Sequence, residues 1–135
     1  MKKLLNPDWP RARAADFAQG VQVADTIYVS GQVAQAGDGS MVGAGDMETQ
    51  ARQVFANIAA VLAIADASLD DIVRITTYVT DMQHYAGYAK VRKELFPRAD
   101  VASATVASPE LVRPGFLIEI EATAIIGARI SARQV

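Results

Sequence analysis

The 135 residues contain no cysteine, a single histidine, a single tryptophan and no surplus of positive charge. Without cysteine there is no disulfide, no thiolate nucleophile and no zinc-thiolate site, and one histidine is too few for a multi-histidine metal centre. These absences point away from metal chemistry and toward a cytoplasmic setting. Thirteen basic against 15 acidic side chains, a net charge of -2, supply no field that would neutralise phosphates, so nucleic acid is not a favoured partner. No apolar run is long enough to suggest a membrane partner. The N-terminus carries Lys2 and Lys3 but meets Asn6, Pro7, Asp8 and Trp9 where a signal peptide needs an apolar stretch.

What is present is globular composition: 51% hydrophobic and 21% charged residues, enough for one domain over residues 1–135 with a real core. Residues 1–16 are Pro-punctuated and without sustained period, which predicts an extended arm lying on the body. Val21 and Val23, then Ile27 and Val29, alternate with polar residues on either side of Ala24-Asp25 and predict a tight hairpin. Extended chain continues through Ser30-Gly31-Gln32-Val33. A glycine-rich stretch from Gly37 to Gly45 follows; it lacks the GxxxxGK[ST] pattern of a phosphate cradle and reads as a plain loop. Asp46 is placed to cap a helix whose Val54, Phe55, Ile58, Val61 and Leu62 form one face. Val73, Ile75, Thr77 and Val79 predict a strand, Asp81 the start of a second helix reaching Leu95 before Pro97, and Val101 to Ala107 a further strand. From Phe116 to Ile126 a last strand turns Phe116, Ile118, Ile120, Ala122 and Ala124 to one side and Leu117, Glu119, Glu121 and Thr123 to the other. Strands, helix, strand, helix, strands predict an α+β architecture, a mixed sheet with two helices on one face.

Few residues offer chemistry. Glu119 and Glu121 share a strand face with α-carbons about 7 Å apart, as acid–base work or the orientation of a water would require; the plain alternative is a solvated strand face. If partly buried, such a glutamate would have its pKa raised. Arg113, in the turn before the last strand, could clamp a substrate carboxylate, or be an ordinary loop arginine. Ser30 and Gly31 could offer a hydroxyl and backbone N–H groups to an anion, or simply kink the strand. His84 has no nucleophile or carboxylate near it in sequence and reads as a surface or cap residue.

Together, Phe17-Ala18-Gln19-Gly20, the segment Ile27-Tyr28-Val29-Ser30-Gly31-Gln32-Val33, Gln50-Ala51 and Asn57 on the first helix, and Glu119-Ile120-Glu121-Ala122 resemble the RidA (YjgF) family of reactive-intermediate deaminases, over about Asp16 to Ile126. The resemblance implies a fold of the bacterial chorismate mutase type, a homotrimer with three clefts between subunits, and hydrolysis of small enamines and imines to ketoacids and ammonia without a metal or organic cofactor. It also implies roles: Glu119 positions the attacking water, Ser30 and Gly31 contribute backbone, and Phe17, Ser103 and Thr105 stand where the family has substrate-binding side chains.

The chain departs from the family pattern where a PARST-like segment normally supplies an arginine. Here Val101-Ala102-Ser103-Ala104-Thr105 puts Ser103 at the arginine position and Thr105 where a cysteine is common, while Phe17 replaces a tyrosine and Ala89 the helix asparagine. A serine donates one hydrogen bond but lacks the charged fork that a carboxylate prefers, a deficit of about 1 kcal/mol or more per contact. Arg113, or more weakly Arg98, is the expected substitute, unless the ligand lacks a carboxylate. A small metabolite is thus the expected partner, with a non-catalytic ligand-binding homologue as the competing reading. Endoribonuclease activity, a label attached to parts of the family, finds no histidine pair here for general acid–base cleavage.

Overall fold

The computed structural model describes residues 1–128; residues 129–135 of the expected domain lie outside that part. One six-stranded mixed sheet carries two long helices on one face. Its strands are β1 (Lys3–Leu5), β2 (Gly20–Val23), β3 (Thr26–Val33), β4 (Ile72–Val79), β5 (Ala102–Ala107) and β6 (Ile118–Ile125). They lie in the order β1-β2-β3-β6-β4-β5, antiparallel except for the β4–β5 pair. The expected α+β class and sheet-plus-helices layering are as found. No helix among the described residues is long and apolar enough to cross a membrane.

Helix α2 (Met47–Ala63) forms where the apolar stripe and the cap coincide: the Thr49 N–H donates to Asp46 Oδ1 at 3.3 Å, and Val54, Phe55, Ile58, Val61 and Leu62 are buried on the sheet. Gly20 lets the helix come close, since a β-carbon there would meet Val61 Cγ1 at 2.5 Å. Helix α3 (Tyr85–Leu95) links β4 to β5, the crossover that a parallel pair requires. Asp81 caps a short 3₁₀ turn, Met82–His84, and α3 begins only after it, so the second helix is two pieces rather than the continuous run expected from Asp81.

Residues 1–16 are not a simple extended arm. They contain β1, hydrogen-bonded to β2, and a single helical turn, α1 (Pro10–Ala14). Pro10 suits the first helical position. The half-buried Arg11 fastens α1 by donating to the Ala36 carbonyl and to the side chains of Gln19 and Gln32, while stacking 4.1 Å from the Trp9 ring centroid. Long-range contacts of this kind have no local periodicity to announce them.

The last strand behaves as its alternation predicts: Ile118, Ile120, Ala122 and Ala124 are buried under the helices. In β4 the expected set starting at Val73 needs correction. Pairing with β6 shifts between Ile72 and Arg74, and this irregularity brings Ile72 into the core while Val73 is only partly covered.

Candidate active site

Glu119 lies on central strand β6, and the burial of its neighbours Ile118 and Ile120 turns it to the helix-free face of the sheet with Glu121. Beside it β3 bulges. Val29 pairs with Ala122 and Gln32 with Ile120, one residue more on β3 than on β6, and Ser30-Gly31 fill the difference. A β-carbon on Gly31 would lie 2.7 Å from Glu119 Oε2 and 3.0 Å from Cδ. The carboxyl group therefore occupies the volume that any side chain at position 31 would claim. Half-buried there, it is pushed above the ordinary glutamate pKa, first by burial and then by the charge of Glu121. A carboxyl group so placed takes and returns a proton closer to neutral pH than an exposed one does.

Glu121 points the same way but is exposed; the Tyr78 hydroxyl donates to its Oε1 at 3.3 Å, and that charge raises the Tyr78 pKa ahead of burial and of Glu119. Ser30 serves the backbone: its hydroxyl donates to the Ala18 carbonyl at 2.7 Å and its N–H to the Gln19 carbonyl at 2.9 Å. These bonds hold the Phe17–Gln19 segment against β3 and leave the Phe17 ring largely exposed. Ser30, Gly31 and Glu119 thus adjoin one another at the bulge, with Phe17 in the segment that Ser30 holds alongside.

Ser103 and Thr105 are elsewhere. Strand β5 is two places from β6, and its register with β4 puts Ser103 opposite Ile75 and Thr105 opposite Thr77, on the helix side. They line an open groove of about 820 Å³ between β5 and α3, together with Tyr85, Ala89, Arg92 and Phe96. Arg113 does not reach that groove. Its Nη2 donates to the Gly39 carbonyl at 2.7 Å and to Gln35 Oε1 at 3.3 Å, its guanidinium lies 4.8 Å from the Phe116 ring centroid, and it borders a separate hollow of about 480 Å³. Arg98 is exposed and is not among the residues lining the β5–α3 groove. His84 is an exposed residue ending the 3₁₀ turn.

Arg92 was not anticipated from the sequence, although a signal exists. Tyr85, Ala89, Arg92 and Phe96 recur at helical spacing, and a crossover helix between parallel strands must lie over them. No group of three or more His, Asp or Glu side chains suited to holding a metal ion occurs among the described residues.

A family model described as Endoribonuclease L-PSP matches residues 10–126. The chain belongs to that family, the RidA/YjgF family. Relatives within it include a RutC family protein of Pyrococcus horikoshii, 32% identical over 92% of this chain and 98% of its own length. A second, from Dermatophagoides farinae, named 2-iminobutanoate/2-iminopropanoate deaminase, is 29% identical over 93% of this chain and 97% of its own. Among solved RidA-type structures, yeast Mmf1 superposes with a TM-score of 0.85 at 27% identity, covering 93% of this chain and 98% of that one. Escherichia coli TdcF with bound serine gives 0.80 at 25% identity, covering 91% and 98%.

Proposed function

We propose that the protein hydrolyses small imines or enamines derived from amino acids to the corresponding 2-oxo acids and ammonia, with Glu119 directing the water. An enamine first takes a proton at its β-carbon and becomes the imine; the carboxylate then takes a proton from water as the water oxygen bonds to the imine carbon, and that proton passes to nitrogen. Collapse of the tetrahedral adduct then forms the C=O bond and expels ammonia. Every step is proton transfer and addition or elimination, so no redox or carrier group enters the scheme.

The observation that carries this reading is the placement of Glu119, a half-buried carboxyl group closed over Gly31 with a raised pKa. Family membership and the activity named for the dust-mite relative support the reaction class, and the serine in the TdcF structure supports a ligand of amino-acid size.

The site includes both clusters, which one chain cannot bring together. Strands lie about 4.8 Å apart, so β5 and β6 are roughly 10 Å apart, with Glu119 and Ser103 on opposite faces. In this proposal a neighbouring copy brings its Gly31–Glu119 bulge, with Phe17 alongside, to the β5 groove, in a homotrimer with three such clefts. The helix-free face also exposes apolar side chains, Tyr28, Val23, Val106 and Ile125, that neighbouring copies would cover. Light scattering giving a monomer mass at micromolar concentration would remove the shared cleft.

The activity is tested by generating imines with an amino-acid oxidase and following their decay. Purified protein accelerates decay for at least some amino acids, and Glu119→Gln does so at least about a hundredfold less well. Decay at the same rate with and without protein across a panel of amino acids would overturn the assignment and leave ligand binding without turnover.

A further inference from the structure

The groove between α3 and β5 has a charge pattern that the family resemblance did not lead us to expect. Tyr85, Ala89 and Arg92 on α3, with Phe96 just past its end, form one stripe facing β5, where Ser103 and Thr105 present alternate side chains to it. Two cations, Arg92 and Lys93, line the groove, and no carboxylate does among the described residues. The acidic side chains of the neighbouring helical surface are engaged elsewhere: Glu94 pairs with Arg52 at 2.7 Å and Glu48 with Lys90 at 3.2 Å.

Arg92 is also held in place. Its guanidinium sits 5.6 Å from the Tyr85 ring centroid and 5.0 Å from that of Tyr88, and its Nη2 donates to the Tyr85 hydroxyl at 2.9 Å. The two rings meet edge to face at 5.9 Å, and Tyr88, fully buried, accepts a hydrogen bond from Thr77 at 2.8 Å. A guanidinium fixed over two aromatic faces has already lost much of its rotamer freedom, and the hydroxyls of Tyr85 and Tyr88 occupy only part of its five N–H donors. No ion-pair partner for Arg92 occurs among the described residues.

We infer that Arg92 is the anion-binding group of this groove, holding the carboxylate of a small 2-oxo or 2-imino acid with help from the Ser103 and Thr105 hydroxyls. The positive charge comes from helix α3 instead of strand β5. This makes Arg92 a specificity-determining residue: it selects carboxylate-bearing ligands over neutral ones of the same shape. The inference rests on the proposed reaction for its choice of acid, but it concerns recognition and can be tested without turnover.

The probes are pyruvate and its uncharged amide, titrated into the assembled full-length protein and followed by NMR shifts of groove residues. Wild-type protein binds the carboxylate at least about tenfold more tightly than the amide, as a charge-assisted fork predicts. Arg92→Gln abolishes that preference while leaving amide binding in place, Arg92→Lys keeps part of it, and Ser103→Arg in the Arg92→Gln background restores it. Equal binding of the two probes by wild-type protein overturns the inference with no variant needed. So does a carboxylate preference that survives Arg92→Gln. Glu119→Gln separates the two ideas, because it removes turnover while the carboxylate preference persists; loss of imine hydrolysis alone therefore does not touch the role of Arg92.

Discussion

The carboxyl group of Glu119 rests where a side chain of residue 31 would be, and only the glycine at that position allows it. The atom that a new methyl group would meet first is Oε2, the mobile end of a side chain. A substitution there moves Glu119 before it disturbs the fold.

Gly31→Ala should therefore leave stability within about 1 kcal/mol of wild type, yet lower kcat/KM for imine hydrolysis by roughly a hundredfold through displacement of the carboxyl group. Denaturant unfolding and the oxidase-coupled assay read the two effects separately. A variant that unfolds and turns over like wild type would show that the contact has no bearing on the reaction.

The raised pKa of Glu119 makes its charged form a cost to the folded state. The folded protein then binds more protons than the unfolded chain between the ordinary and the raised pKa, so this contribution is fully favourable below the ordinary glutamate range and is lost as pH rises through the raised value. Glu119→Gln removes the dependence. At neutral pH the variant should be as stable as wild type or more so, and the difference should shrink or reverse below the ordinary range. Paired urea titrations across pH check the sign, and a Gln variant less stable at neutral pH would contradict it.

Glu121 is the second cause of the Glu119 shift, after burial. Glu121→Gln should accordingly move the acid limb of the kcat/KM profile to lower pH without abolishing activity, since the larger cause remains. An unmoved limb would mean that Glu119 does not set it.

Asn57, buried in α2, donates to the carbonyls of Val33 and Gln35 at 3.1 and 3.0 Å and accepts from Gln53 at 2.8 Å. Asn57→Ala strands those groups where the chain leaves β3 and should cost about 2 kcal/mol. Chemical denaturation gives the figure, and a loss under 0.5 kcal/mol, small against the ~1 kcal/mol of a single bond, would mean that water replaces the amide without penalty.

The sequence was most readable where regular period and burial agree. The stripe of α2, Ile27 and Val29 in the first hairpin and the alternation of β6 all follow from side chains that must face the core, whereas Val21 and Val23 pair with Tyr28 and Thr26 on the helix-free face, the side opposite to Ile27 and Val29. Glu119 and Gly31 were picked out by motif, but their contact arises from a bulge, and a bulge depends on pairing between strands distant in sequence. The same limit hid Arg92. Its face on α3 was computable, whereas its neighbours Ser103 and Thr105 come from a strand aligned by β4. The short strand and helical turn within residues 1–16 have no signature in the sequence because the bonds from Arg11 to Gln19, Gln32 and Ala36 join pieces that show no pattern separately.

The separation of Glu119 from Ser103 by the thickness of the sheet has a genetic corollary if clefts are shared as proposed. A chain altered at Glu119 still carries an intact groove, and a chain altered at Arg92 still carries an intact carboxyl cluster. Co-expressed, two individually crippled alleles should form mixed assemblies in which some interfaces unite the two sound halves, and part of the lost catalysis should return by complementation.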